Sequence, residues 1–219
     1  MKARPNESLR VLICGAGSGA GFACAQAFAA RGAELILCDC DGIALTRAAD
    51  QLDAFSRFCE ATAERSVEIF VEEVGSLFPS VDVLINAAGR GYVRALTMMR
   101  MSRAMLPLLR KGSGYRLIAN IAPAGGFGSR NGIFPYAGSP TSFARLSDVV
   151  VEQCRGSGIN VACITPPILR TPQASSCWSD RLHRLDRIDE RNAAERVVSI
   201  LAAERPEWLQ RPPQLNRRA

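Results

Sequence analysis

The sequence predicts an α/β fold, a doubly wound parallel β-sheet with helices on both faces, and three observations predict it. Short apolar runs alternate with stretches of helical periodicity, the pattern of repeated βαβ units. A glycine cluster separates the first apolar run from the first helix. An acidic residue, Asp39, closes the second run about twenty residues beyond that cluster.

The first strand is Val11-Leu12-Ile13, and it runs into Cys14-Gly15-Ala16-Gly17-Ser18-Gly19-Ala20-Gly21. Glycines at such a turn let the backbone bend sharply and approach a phosphate, while the first amides of the following helix point at the anion. That helix covers 22–30, rich in helix formers, with Gly32 as its C-terminal cap. The second strand, 34–38, ends in Asp39, where a dinucleotide fold hydrogen-bonds the adenosine ribose hydroxyls. A helix over 42–52 and a short strand over 54–59 follow, and the strand ends at Glu60. Over 63–78, Val67, Phe70, Val71, Val74 and Leu77 fall at helical spacing, which marks a core-facing stripe.

Pro79-Ser80 stops that helix, and the strand over 81–85 leads into Asn86-Ala87-Ala88-Gly89. A helix rich in methionine and leucine spans 94–109 and is closed by Lys111-Gly112. Strands over 115–121 and 159–164 enclose a loop of glycine and proline, 122–135, and a helix ending near Cys154. A last helix covers about 193–204, before Arg211-Pro212-Pro213 stops regular structure.

At 219 residues, 47% hydrophobic and 22% charged, the chain suits one domain with a substantial core, its residues 1–8 and 211–219 forming tails. Its apolar runs are shorter than a membrane span, and its polar start lacks a signal-peptide core, so a cytoplasmic protein without a membrane partner is expected. Eight cysteines show no Cys-x-x-Cys spacing and read as small buried hydrophobes. With His183 the only histidine, neither a histidine-based triad nor a multi-histidine metal site is expected, and no metal is assigned. The net charge of +6 comes almost wholly from arginine, with 25 arginines and only Lys2 and Lys111 as lysines against 21 acids. The basic residues are scattered rather than gathered into a stripe, which argues against nucleic acid.

These motifs together resemble the short-chain dehydrogenase/reductase family, across nearly the whole chain. Its Thr-Gly-x-x-x-Gly-x-Gly turn is similar to Cys14-Gly15 through Gly19-x-Gly21, with Cys14 in place of threonine. The more general dinucleotide pattern would use Gly15, Gly17 and Ala20 instead. Its Asn-Asn-Ala-Gly resembles Asn86-Ala87-Ala88-Gly89, and its adenine-holding Asp-Val resembles Glu60-Ala61. Its Pro-Gly and Thr-Pro near the nicotinamide resemble Pro166-Pro167 and Thr171-Pro172. The resemblance implies a Rossmann-type domain and a cofactor site of Gly15, Ser18, Gly19, Ala20, Gly21, Asp39, Cys40, Glu60, Ala61, Asn86, Ala87, Ala88, Gly89, Pro166, Pro167, Leu169 and Thr171. It also implies NAD rather than NADP, because Asp39 accepts from ribose hydroxyls and, with Asp41, repels a 2′-phosphate.

The catalytic half departs from the family. Tyr136 matches its acid/base tyrosine, but the lysine four residues on is Pro140, the serine thirteen residues earlier is Pro123, and the relay asparagine is Arg94. A tyrosine of pKa about 10 is a poor base at neutral pH without a cation, which would lower it by about one to three units. Losing a positioned acid/base costs about a hundredfold to ten-thousandfold in rate. Between Gly89 and the helix at Arg94 only Arg90-Gly91-Tyr92 stand where the family has a longer helical segment, so an open cleft rim is expected. Proline is tolerated at the first helical position, and Ser139 is a good cap, so the next helix should start near Ser139 with Tyr136 in the loop before it.

Three functions fit these residues. The first is an NAD-binding member with weak or absent hydride transfer. The second is an active oxidoreductase on an alcohol or carbonyl, using Tyr136 with Arg94 or Arg130 in a rearranged site. The third is a structural or assembly protein that binds no nucleotide. Family resemblance further implies a homodimer or homotetramer packed through helices 94–109 and 139–154, with room for a small-molecule ligand.

Overall fold

Val11, Leu12 and Ile13 are consecutive and all fully buried, which requires a strand covered on both faces. The computed structural model describes residues 9–89, 91–112, 114–121, 140–164, 194–195 and 197–199. Its strands are β1 (Arg10–Cys14), β2 (Glu34–Asp39), β3 (Phe55–Phe58), β4 (Val83–Asn86), β5 (Arg116–Ile121) and β6 (Ile159–Ile164). They form one parallel sheet in the order β3-β2-β1-β4-β5-β6. Helices α1 (Gly19–Ala29), α2 (Gly42–Leu52), α3 (Glu64–Leu77), α4 (Gly91–Arg110) and α5 (Pro140–Cys154) connect or flank them.

Alternation along β1 divides the core. Val11 and Ile13 pack into the layer holding Phe28 of α1 and Leu45 of α2. Leu12 and Cys14 pack into the opposite layer, with Phe70 and Val74 of α3 and Met101 and Met105 of α4. Ala194, Val197 and Val198 join the first layer. This is the expected doubly wound arrangement, and its strand order reverses between β1 and β4. Ligands of such sheets bind at that switch point, outside the carboxyl ends of the strands.

Most boundaries fall within two residues of the sequence reading, and the two larger differences concern the site. Helix α1 starts at Gly19 rather than at Phe22, inside the glycine turn. Helix α4 starts at Gly91 rather than at Arg94. The reason is Gly89, whose φ of +92° turns the chain directly from β4 into the helix. Gly91 and Tyr92, read as standing before the helix, are therefore helical. Gly32, expected as the cap of α1, has φ +74°, and Ala33 N–H beyond it closes back on the Phe28 carbonyl at 3.2 Å.

The cysteines divide by burial. Cys14, Cys24, Cys38, Cys59 and Cys154 are buried as expected, whereas Cys40 and Cys163 are exposed. Burial alone pushes the Cys24 thiol up to about 12. At pH 8 only about one molecule in ten thousand would then carry that thiolate. Iodoacetamide at pH 8 should leave Cys24 unmodified in the native protein while labelling Cys40, as read by peptide mass. Comparable labelling of the two would show that α1 does not hold Cys24 in the core.

Candidate functional site

The carboxyl ends of β1, β2, β3 and β4 bring the sequence motifs to one edge of the sheet. From β1 the chain enters the glycine turn, where Gly15 has φ +89° and Gly19 φ +59°. Both values lie in the left-handed region that favours glycine. A Cβ on Gly21 would stand 1.9 Å from the Gly15 carbonyl oxygen, and one on Gly15 would stand 2.5 Å from the Ala88 nitrogen. Positive φ favours glycine at 15 and 19 and close approach requires it at 15 and 21, which favours that register over the one using Gly17 and Ala20.

Close approach at Gly21 seats the start of α1 against the turn. Ser18 precedes α1 in extended backbone and makes no side-chain capping bond, and no acidic residue stands in the first turn. The first amide bonded within the helix is Phe22 N–H, to the Ser18 carbonyl at 3.3 Å. The amides of Gly19, Ala20 and Gly21 are therefore the orphan donors of a helix end, at its positive pole. Such a cradle suits an anion the size of a pyrophosphate.

Asp39 is fixed beside the cradle. One carboxylate oxygen accepts from Gly17 N–H at 2.9 Å and the other from Asp41 N–H at 3.0 Å. Each oxygen keeps a further lone pair for a hydroxyl donor. Asp41 is otherwise engaged, its carboxylate capping α2 through Ile43 and Ala44 N–H. Cys40 is exposed between the two acids. Burial and the Asp39 and Glu60 charges raise its thiol above the ordinary range.

Glu60 and Ala61 follow β3. The Glu60 carboxylate accepts from the Thr62 hydroxyl at 2.6 Å and the Thr62 N–H at 3.0 Å, and these bonds hold it below the usual carboxylate range. Beneath them Cys14 and Cys38 pair at the ends of β1 and β2, and Cys59, just past β3, packs in the same layer. Hydrogen bonds to Cys14 and Cys59, then burial, hold the Cys38 thiol up, whereas its bond to Cys38 holds Cys59 down. Cys14 thus contributes a thiol to the core under the turn rather than a group in the cleft.

Asn86 turns inward. Its amide nitrogen donates to Asn120 Oδ1 at 2.8 Å and Ser102 Oγ at 3.0 Å, and it is buried. Ala87 continues from β4 with its N–H on the Cys14 carbonyl at 2.9 Å, so residues 87–89 meet the glycine turn through backbone alone. Asn120 was missed in the sequence, although a lone asparagine inside Leu-Ile-Ala-Asn-Ile is a visible signal of a buried polar pair.

Arg94, at the place of the relay asparagine, bridges two strand ends. Its Nε donates to the Gly89 carbonyl at 3.1 Å and its Nη1 to the Ile121 carbonyl at 3.0 Å. A guanidinium holds such a geometry but cannot release a proton to a relay. Pro140 stands at the described start of α5, where a missing N–H costs least. Tyr136, Pro123, Pro166, Pro167, Leu169 and Thr171, and with them the expected placement of Tyr136 in a loop, lie outside the described residues.

The site's setting agrees with known proteins. Residues 10–182 match the model of the short chain dehydrogenase family. The chain is 27% identical over 208 residues to meso-2,3-butanediol dehydrogenase of Serratia marcescens, covering 86% of this chain and 81% of that protein. Its fold is similar to a short chain dehydrogenase/reductase from Burkholderia phymatum solved in complex with NAD, with TM-score 0.75 and 19% identity over 93% of this chain and 89% of that one. It is also similar to an alcohol dehydrogenase from Thermococcus sibiricus complexed with 5-hydroxy-NADP, with TM-score 0.71 and 21% identity over 89% and 91% of the two chains.

Proposed function

Because the chain belongs to the short-chain dehydrogenase family, a fold lineage of NAD(P)-binding oxidoreductases, we propose that it binds NAD(H) at the carboxyl edge of β1, β2 and β4 and transfers hydride weakly or not at all. The glycine cradle carries this reading: Gly15 and Gly21, which leave no room for a side chain, and Gly19, at positive φ, present the amides at the start of α1 at one point. In it, the amides of Gly19, Ala20 and Gly21 hold the pyrophosphate, Asp39 accepts from the adenosine ribose, and Glu60 and Ala61 border the base. Pro166, Pro167, Leu169 and Thr171 are assigned to the nicotinamide end by motif.

Bound NAD supplies a hydride acceptor at its nicotinamide ring. What this chain's residues supply for the proton is reduced. Pro140 has neither charge nor donor where the family lysine would lower the tyrosine pKa and hold the ribose, and Pro123 has no hydroxyl to orient a carbonyl. Arg94 keeps a charge near the strand ends but spends donors on the Gly89 and Ile121 carbonyls.

The dinucleotide preference follows from charge. A 2′-phosphate would meet the Asp39 carboxylate, with Asp41 beside it, and like charges brought together cost enough to separate NADH from NADPH by about tenfold or more. Fluorescence titration should show saturable NADH binding and at least that difference, with Tyr136→Phe leaving any slow turnover of alcohols unchanged. Equal affinities would remove Asp39 from its role. Turnover abolished by Tyr136→Phe would establish a working rearranged site, and absence of NADH binding to millimolar concentration would favour a structural protein.

A further inference from the structure

We propose that Arg100 is a positioning residue for the adenine side of this site: from α4 it locks the loop after β3 in its binding shape, an inference that rests on the NAD(H) reading above. The loop is Glu60-Ala61-Thr62-Ala63, and the donors of Glu60, Thr62 and Ala63 are met locally. Glu60 N–H donates to Ser66 Oγ at 2.9 Å, Thr62 N–H and hydroxyl donate to the Glu60 carboxylate, and Ala63 N–H donates to the Glu60 carbonyl at 2.9 Å. The carbonyls of Ala61 and Thr62 face the other way, toward α4. Arg100 Nη1 donates to both, to Ala61 at 3.4 Å and more closely to Thr62.

The side chain of Ala61 is buried in the same layer as Met101 and Met105, and the bond its carbonyl accepts from Arg100 is partly buried, whereas the Thr62 bond lies at the exposed end of the loop. A guanidinium suits this work because it is always charged and holds its donors in one rigid plane. Its bonds to carbonyl oxygen are charge-assisted and stronger than neutral ones. Arg100 is therefore the polar tie between this loop and the body of α4.

Strand order gives the tie a role in binding. β3 lies next to β2, so the loop flanks Asp39, and a base joined to the ribose at Asp39 meets residues 60–62 first. Releasing the Ala61 and Thr62 carbonyls would let the loop wander, along with the direction of the Glu60 carboxylate. The phosphate cradle, built by α1 and the first turn, shares no hydrogen bond with Arg100. The effect should therefore be confined to the adenosine end.

The test compares NADH with reduced nicotinamide mononucleotide, which lacks the adenosine, on wild type, Arg100→Ala and Arg100→Lys. Arg100→Ala should weaken NADH about tenfold, as expected for losing hydrogen bonds from a charged donor, and leave the mononucleotide unchanged. Arg100→Lys, which keeps one cationic donor, should return NADH to within about threefold of wild type. Melting curves check folding, and if the alanine protein does not fold, Arg100→Met, keeping the apolar stem without the donor, takes its place. NADH bound as tightly by the donor-less variant as by wild type, or both ligands lost in equal proportion, overturns the proposal. A wild type that ignores NADH overturns the nucleotide reading itself, before any variant is compared.

Discussion

Gly21→Ala should abolish NADH binding and lower the melting temperature by about 5–10 °C. The added methyl would stand 1.9 Å from the Gly15 carbonyl oxygen and 2.7 Å from the Gly15 carbonyl carbon, both backbone atoms that no side-chain rotation can move aside. Overpacking of this kind costs about 1–3 kcal/mol, and the rigid partners place this position at the upper end. For a chain of this length each kcal/mol shifts the midpoint by about 2–4 °C. The only relief is to push α1 away from the turn, which carries the amides of Gly19 and Ala20 off the anion. Gly42→Ala is the control, since a Cβ there meets nothing within 4 Å. It stands in the first turn of α2, where alanine in place of glycine should stabilise by up to about 1 kcal/mol. Melting curves and NADH fluorescence on the two variants check both statements, and a Gly21→Ala protein that binds NADH like wild type would show that the turn is not a phosphate cradle.

Much of this architecture is legible in the sequence because it depends on short-range rules. Val11, Leu12 and Ile13 announce a strand covered on both faces, and Asp39 is placed by counting from the turn. The glycine register is a harder case. Spacing alone admits Gly17 and Ala20, and the positive φ of Gly19 with the approach of the Gly15 carbonyl to Gly21 decides against them. The partners of Arg94 and Arg100 could not be read at all. The two arginines lie six residues apart on one helix, yet they tie down different loops, at Gly89 and Ile121 and at Ala61 and Thr62. Such a long side chain spans several ångströms, so its partner is set by how α4 packs on the sheet and not by its neighbours in sequence. Gly91 and Tyr92 were placed before the helix because helix periodicity starts weakly there, while the backbone device that admits the helix, Gly89 at φ +92°, is invisible without coordinates.

Phe28→Ala should produce the converse result, a large loss of stability with the site intact. Phe28 is fully buried in the layer between α1 and the sheet. Truncating such a ring costs about 3–5 kcal/mol through lost transfer energy and the cavity left behind. Against a total of about 5–15 kcal/mol for folded domains, that is enough to populate the unfolded chain on mild heating. The Phe28 backbone still accepts from Arg31 and Ala33 N–H, so the end of α1 keeps its cap. The cradle lies at the other end of the same helix, and its amides do not touch the ring. NADH at a hundred times its dissociation constant should then restore about 2.7 kcal/mol, because it binds the folded state alone. Thermal melts with and without NADH measure this directly. Rescue of Phe28→Ala with none for Gly21→Ala would separate the packing of α1 from the anion site at its start. Equal failure of rescue in both would place the ligand, if one binds, away from α1.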